Sequence, residues 1–158
     1  MTRSILLLPS LALGLLLASC ADNRMENAAA ITSSGSAAIH GTFRQTGAGS
    51  TLTVWPEGIN GSVVPKPKQR ADQGAFPVKT GTNRIMVRAD TTRYVGVAKL
   101  ATSRTTIDFS ARPGVRYAVN GDWTSDGLFV WIEEGDTGKT VAPKRELKPV
   151  EGTVIFVP

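Results

Sequence analysis

From Ala38 onward, apolar and polar residues alternate with the period of two that is typical of β-strands. Over residues 83–89, for example, this alternation predicts that Ile85 and Val87 face a core while Arg84 faces water. Short runs of this kind recur along the chain. The predicted strands are Ala38–Phe43, Ser50–Trp55, Asn83–Ala89, Val95–Leu100, Thr105–Ala111, Val115–Asn120, Leu128–Glu133 and Thr153–Val157.

Clusters of Gly, Pro and Asn separate these runs, and no helical period longer than two turns appears after the first 20 residues. Over residues 105–111, Ile107 and Phe109 share one face while Asp108 and Ser110 share the other, as in a strand with one buried side. The sequence therefore predicts an all-β domain over residues 38–158, folded as a single antiparallel β-sandwich of about seven to eight strands.

The first 20 residues follow a different pattern. Arg3 precedes an apolar stretch of 13 residues from Ile5 to Leu17, which is short for a membrane span and has the length of a signal-peptide core. The stretch ends in Leu17, Ala18, Ser19 and Cys20. This tetrapeptide resembles the lipobox of bacterial lipoproteins, with Leu three positions before the cysteine and small residues between. The resemblance implies that residues 1–19 are a signal peptide removed by cleavage after Ser19.

Cys20 is the only cysteine of the sequence and stands where the lipobox requires one. The resemblance implies that its thiol carries a diacylglycerol group and its new amino group a palmitate-type acyl chain. Several chains on one residue give lasting membrane attachment, because each buried methylene contributes about 0.8 kcal/mol. Lipidation leaves no thiol for a disulfide, so we expect packing alone to stabilise the domain.

Residue 21 is Ala, whereas Asp at this position retains lipoproteins of enteric bacteria in the inner membrane. The resemblance therefore implies an outer-membrane protein whose domain lies in the periplasm or at the cell surface. Residues 20–37 are rich in Ala, Asn and Ser without an amphipathic pattern, and we interpret them as the lipidated N-terminus and a flexible tether. A short Ala-rich helical turn over residues 26–31 is the alternative.

Charge is unevenly distributed along the chain. The net charge of +5 falls to +4 without Arg3, with 17 basic and 13 acidic side chains remaining. Residues 64–104 carry nine Lys or Arg against two Asp. Within them, Lys66, Lys68 and Arg70 lie in a Pro-rich connection that we expect either to contact anionic lipid or wall polymers or to form a solvated loop. No aromatic residues are interleaved with these cations, so we expect no nucleic-acid partner.

A second resemblance covers about 60 residues, from Gly81 to Val141. It rests on the sequences GTNRIMVR from Gly81, IDFSARPGVRYAV from Ile107 and FVWIEEGDTGKTV from Phe129. The segment resembles small bacterial lipoproteins with a transthyretin-like or immunoglobulin-like β-sandwich. The resemblance implies that fold and no particular activity. The acidic turn at residues 133–136 is about one residue longer than in that pattern.

Three features of this segment are framework elements. Pro113-Gly114 predicts a turn, because glycine tolerates positive φ. Tyr117 follows it at the spacing of a tyrosine corner, whose hydroxyl bonds back to the main chain. Trp131, between two apolar residues, is expected to fill the core or cap its edge.

Two motifs point weakly to catalysis. Gly138-Lys139-Thr140 resembles the end of a phosphate-binding loop, but Glu133 stands where that loop needs Gly, and Pro143 opposes a following helix. Residues 136–138 match the aspartic-protease tripeptide without the apolar strand that leads into it. A hairpin turn explains these residues better. His40, the only histidine, has no recognisable catalytic or metal-binding partner.

These observations predict a non-enzymatic cell-envelope lipoprotein that acts as a binding or assembly module, without a cofactor or metal and with an envelope protein or peptidoglycan as partner. The alternative is a periplasmic inhibitor or a cell-wall or glycan-binding accessory that uses the basic loop with Trp55, Trp123 or Trp131. Two neighbouring exposed tryptophans would favour glycan stacking. Residues 154–157 are apolar on both faces and predict either a buried central strand or an edge strand that pairs with a partner.

Overall fold

The structure, a computed structural model, describes residues 23–65, 74–95, 97–148 and 150–151. The predicted signal peptide, Cys20, the cations Lys66, Lys68 and Arg70, and the predicted strand Thr153–Val157 lie outside these residues. The described elements are α1 (Asn23–Ser33), β1 (Ala37–His40), β2 (Thr42–Gly47), β3 (Ser50–Ile59), β4 (Ser62–Val63), β5 (Ala75–Val78), β6 (Gly81–Val95), β7 (Val97–Ala111), β8 (Arg116–Thr124), β9 (Gly127–Glu134), β10 (Thr140–Leu147) and β11 (Val150–Glu151).

The strands form two sheets, which confirms the all-β sandwich. One sheet has five strands in the order β10-β9-β8-β1-β5, and the other has six, in the order β11-β7-β6-β3-β2 with β4 beside β3. All but one of the described strand pairs are antiparallel. The exception is β1, which runs parallel to β8 with Ile39 opposite Tyr117.

The core lies between the two sheets and is built from the inward-facing residue of every second position. The faces predicted from the alternation are confirmed, because Ile85, Val87, Ile107 and Phe109 are all buried there. Tyr117 is fully buried and meets the ring of Phe109 edge to face, with 4.9 Å between ring centroids. Further core side chains come from β1, β3, β5, β9 and β10: Ala37, Ile39, Leu52, Val54, Val78, Leu128, Val130, Ile132, Ala142 and Leu147.

The predicted strand Ala38–Phe43 is wrong as a single element. The chain pairs with β8 up to His40 and with β3 from Thr42, so it changes sheets at the buried Gly41. Alternation does not reveal this crossing, because a period of two does not report which strand a residue pairs with. The predicted strand Val95–Leu100 is also wrong as a single element, because Val95 ends β6, whereas residues 97–100 and the predicted strand 105–111 are parts of the single strand β7.

The count of seven to eight strands is too low, because the described residues form eleven, two of them only two residues long. Neither β5 nor β10 was predicted. Five of the eight residues of β10 are exposed, among them Pro143, Lys144 and Arg145, as suits the edge of a sheet. An edge strand of this kind lacks the apolar alternation on which the prediction relied.

Residues 23–33 were expected to lack regular structure, but they form α1. Their three consecutive alanines are strong helix formers, and no Gly or Pro interrupts them. The helix contacts β1 and β5 and buries Ala28. It ends at Ser33, and two residues later Gly35 has a φ of 80° and donates its N–H to the Thr32 carbonyl (3.0 Å), as is typical after a helix C-terminus. Packing thus favours a helix that its weak amphipathic pattern did not predict.

Candidate functional site

The framework predictions for the turn before β8 are confirmed. Gly114 has a φ of 71°, and the Tyr117 hydroxyl accepts a 2.8 Å hydrogen bond from the Arg112 N–H. The interpretation of residues 135–140 as a hairpin turn is also confirmed, because they connect β9 to β10. Gly138 has a φ of 67° and donates its N–H to the Glu134 carbonyl at 2.8 Å. These residues have structural partners in the turn itself.

His40 ends β1 and is partly buried, and its Nδ1 lies 2.8 Å from the carbonyl oxygen of Gly41. Among the residues that the structure describes, no three His, Cys, Asp or Glu side chains come close enough to bind a metal ion together. The ring therefore meets the main chain at the point where the chain changes sheets.

Trp55 and Trp131 are buried although both lie on the outer faces of the sheets. Their exposed fractions are 3% and 7%, and a cation covers each ring: Arg88 at 5.1 Å from the Trp55 centroid and Lys144 at 4.6 Å from that of Trp131. Of the two alternatives for Trp131, the one in which it fills the core between the sheets is wrong, because Val130 and Ile132 on either side of it belong to that core and Trp131 does not. Neither ring presents an open face for stacking.

The outer face of the five-stranded sheet holds a chain of hydrogen bonds around Trp131. The indole N–H donates to Glu133 at 2.8 Å, Asn120 donates its amide to the same carboxylate, and Arg44 donates to the Asn120 side-chain oxygen at 3.1 Å. Asn120 is 5% exposed. Since every member has a partner, this network stabilises the sheet and leaves no polar group directed at a ligand.

A second network lies on the outer face of the six-stranded sheet. Glu57 accepts hydrogen bonds from Arg104 at 2.7 and 3.1 Å and from Arg88 at 3.3 Å, and Arg88 also binds Asp90 at 2.9 Å. The hydrogen bond from Arg104 lowers the pKa of Glu57, against the opposing effect of burial. Opposite charges balance one another here, so this face also is a self-contained framework.

An open cleft of about 300 Å³ lies at one end of the sandwich. It is bounded by the end of β2, the start of β3, the end of β6 and the hairpin between β8 and β9. Its lining combines one aromatic ring, one cation and four hydroxyl groups: Thr46, Ser50, Arg93, Trp123, Thr124 and Ser125. Trp123 packs one part of its side chain on the core and is partly exposed, unlike the other two tryptophans.

Strand direction explains why these residues meet. β8 runs parallel to β1, so the end of β8 and the end of β2 lie at the same end of the sandwich. β6 runs antiparallel to β3 and is paired with it as far as Thr92 opposite Thr51, which brings Arg93 just beyond the start of β3. The cleft therefore forms where the strands of both sheets end, and connections between strands are a common place for binding residues.

Of the residues named from sequence, only Trp123 belongs to this cleft. The others lie at positions 46, 50, 93, 124 and 125, so the set spans 80 positions of the chain. A Ser or Thr near a turn carries no distinguishing local signal, and the cross-strand register that brings them together cannot be deduced from periodicity. The single available signal was a tryptophan followed at once by two hydroxyl residues and a turn.

Comparisons with known protein families, curated proteins and solved structures yield no match to this chain. Within the described ranges, no helix has the length and apolar character needed to cross a membrane.

Proposed function

We propose that this protein is a non-enzymatic lipoprotein of the cell envelope, and that its sandwich is a binding or assembly module tethered to the outer membrane through acyl chains on Cys20. The observation that carries the binding role is the open cleft that contains Trp123. Small-molecule and polymer-end sites in proteins are concave and combine an apolar wall with a few polar groups. The cleft has this composition, whereas the networks around Trp131 and Glu57 on the outer faces consist of side chains that hydrogen-bond to one another.

The position of the cleft suits a tethered binding module. Strands β1 and β2 carry the chain from Ala37 to Gly47, which at about 3.3 Å per residue is a path of up to roughly 35 Å. The start of β1 therefore lies at the end of the sandwich opposite the cleft. A tether that reaches the domain from this end leaves the cleft at the other end open to the wall or to other envelope proteins.

The alternative is a periplasmic inhibitor or a wall- or glycan-binding accessory. The burial of Trp55 and Trp131 removes two of its three proposed stacking residues. Trp123 remains, and its place beside four hydroxyl groups favours the glycan-binding form of this alternative. An inhibitor would need an exposed segment that enters an enzyme, and no observation on the described residues favours one.

The proposal is tested with the full chain purified in detergent and two kinds of envelope material: purified peptidoglycan sacculi, and outer membranes treated with a cross-linker. Thr46→Trp fills the cleft from its exposed rim without removing the packing of Trp123. Tyr94→Ala is the matched control, because this 58% exposed ring lies on the same strand as Arg93 but on the opposite face.

We expect sedimentation with sacculi, or cross-linking to an envelope protein, that is lost in Thr46→Trp and retained in Tyr94→Ala. Retention of the same partner by Thr46→Trp would overturn the role of the cleft. Absence of binding to both materials would overturn the binding function as a whole. A substrate turned over by the purified chain, with loss of turnover on replacing a single carboxylate, would overturn the non-enzymatic assignment.

A further inference from the structure

Arg93, which lines the cleft, has a second cation beside it on the neighbouring strand β7. Residues Arg93 and Lys99 are directly opposite each other in the β6–β7 pair. Along β6, the residues of the same face are all buried as far as Thr91, so Arg93 continues the inward face just beyond the core. The same alternation along β7 gives Lys99 this orientation. Both side chains are exposed.

This pair is unfavourable for the isolated domain, because like charges directly opposite on one face of a sheet repel each other. No hydrogen bond or ion pair joins Arg93 or Lys99 to a carboxylate among the described residues. Asp126 adjoins the lining residue Ser125, but it accepts a hydrogen bond from the Ser125 hydroxyl at 3.2 Å. Elsewhere on β6, Arg84 and Arg88 each have an acidic partner. The two cations at the cleft are therefore available to an anion from outside.

The hydroxyl groups and the indole that line the cleft favour a ligand with more than an anionic group. Hydroxyls both donate and accept hydrogen bonds. Within the described structure, those of Thr46 and Ser50 have no internal partner, while that of Thr124 accepts from the Asp126 N–H at 3.2 Å. A partly exposed indole adds an apolar face that matches the C–H surface of a sugar ring. A bare anion would use the cations and leave both features without a role.

We propose that the cleft binds an acidic saccharide, with a sugar ring against Trp123 and its carboxylate or phosphate between Arg93 and Lys99. This inference rests on the proposed binding function and names the ligand class of the same site. A volume of about 300 Å³ lies at the lower limit for small-molecule sites, which are roughly 300–1,000 Å³, and so suits one ring with its charged substituent. A longer glycan would extend outward through the open mouth.

The test uses isothermal titration of the full chain in detergent with four probes. They are a uronic-acid trisaccharide, a neutral trisaccharide of the same linkage, a hexose phosphate and inorganic phosphate. We expect the uronate or the hexose phosphate to bind at least tenfold more tightly than the neutral sugar and inorganic phosphate. Which of the two binds more tightly identifies the source of the anionic group. Equal affinity for the neutral sugar, or for inorganic phosphate, would overturn the proposal.

Variants that remove charge provide the second test of the saccharide proposal. Arg93→Gln with Lys99→Gln is expected to weaken binding of the acidic sugar at least tenfold and to leave binding of the neutral sugar unchanged. Lys79→Gln with Lys139→Gln removes the same charge from exposed sites at the opposite end of the sandwich and is expected to change neither. Equal weakening by both double variants would attribute the effect to net charge and overturn the site.

The two proposals fail in distinguishable ways. If Thr46→Trp abolishes binding to sacculi or to an envelope protein while no acidic sugar is preferred, the cleft binds a ligand of another class. In that case the proposed function stands and this inference is wrong. If neither envelope material nor any of the four probes binds, both are wrong.

Discussion

The main-chain N–H of Arg112 donates a 2.8 Å hydrogen bond to the hydroxyl oxygen of Tyr117, five residues further along the chain. The tyrosine is fully buried, so this bond closes the turn between β7 and β8 from inside the sandwich. Tyr117→Phe retains the ring and its edge-to-face contact with Phe109 and removes only the hydrogen-bond acceptor. We expect a loss of about 1–2 kcal/mol in the free energy of unfolding, measured by urea denaturation.

Tyr94→Phe is the control for this substitution, because Tyr94 is 58% exposed and loses a hydroxyl that faces water. We expect its free energy of unfolding to stay within about 0.5 kcal/mol of the parent chain. Equal losses in the two variants would mean that the Arg112–Tyr117 bond does not stabilise the turn.

Gly121 on β8 lies close to the facing strand β3. A Cβ at this position would lie 2.6 Å from Cγ2 of Val54 and 3.2 Å from Cδ2 of Leu52, both on the facing strand β3. Gly121→Ala should therefore destabilise the domain by about 1–3 kcal/mol through overpacking. Gly47→Ala, where a Cβ meets nothing within 4 Å, is the matched control and should be close to neutral.

A second substitution distinguishes overpacking from a general intolerance of alanine at position 121. Val54→Ala removes the methyl groups that the new Cβ would meet. The double variant Gly121→Ala with Val54→Ala should therefore lose less free energy of unfolding than the sum of the losses in the two single variants. Strict additivity in urea denaturation would show that the contact between Gly121 and Val54 is not the cause.

Much of the fold could be predicted from the sequence, because alternation reports which side of a strand is buried. It identified Ile85, Val87, Ile107 and Phe109 as inward residues, and each is in the core. Alternation failed where burial is decided by position within a sheet. The exposed strand β10 contains Pro143 and several charges, so its local pattern resembles a loop although it pairs with β9.

The candidate site could be predicted only in part, for a related reason. Trp123 was recognisable as a residue able to stack, but its exposure relative to Trp55 and Trp131 depends on which strands end nearby. The opposition of Arg93 and Lys99 depends on the exact register of a hairpin with two 15-residue strands. A shift of one residue in that register would move one cation to the outer face, and periodicity alone does not fix such a shift.

Glu57 is expected to give the stability a measurable pH dependence. The hydrogen bond from Arg104, together with Arg88, holds the pKa of this carboxyl below its ordinary value of 4.5. Because the folded state favours the ionised form, the stabilisation is complete above pH 4.5 and is lost as the pH falls from there toward the lowered pKa. Glu57→Gln should cost about 1–2 kcal/mol at pH 7, and this difference from the parent chain should shrink toward pH 3.

The comparison is made by urea denaturation of both chains across this pH range. Asp108→Asn is the control, because Asp108 forms its ion pair with Arg84 in a largely exposed position, where solvent screens the attraction. We expect Asp108→Asn to lower the free energy of unfolding at pH 7 much less than Glu57→Gln does. A difference between Glu57→Gln and the parent chain that stays constant from pH 7 to pH 3 would contradict the proposed ionisation.

The lipoprotein proposal makes membrane attachment depend on the thiol of Cys20, so Cys20→Ala should change both the mass of the mature chain and its location. Without the thiol no diacylglycerol can attach, and we expect the acyl mass to disappear and the protein to leave the outer-membrane fraction on a density gradient. Ser19→Ala keeps a small residue before the cysteine and should leave both properties unchanged. Mass spectrometry of the N-terminal peptide and immunoblotting of separated membranes measure the two effects. A parent chain whose N-terminal peptide carries no acyl mass, with a Cys20→Ala chain that stays in the outer-membrane fraction, would contradict the lipoprotein proposal. If instead the parent chain is acylated and the variant without acyl chains stays on the membrane, the surface of the domain itself must hold it there.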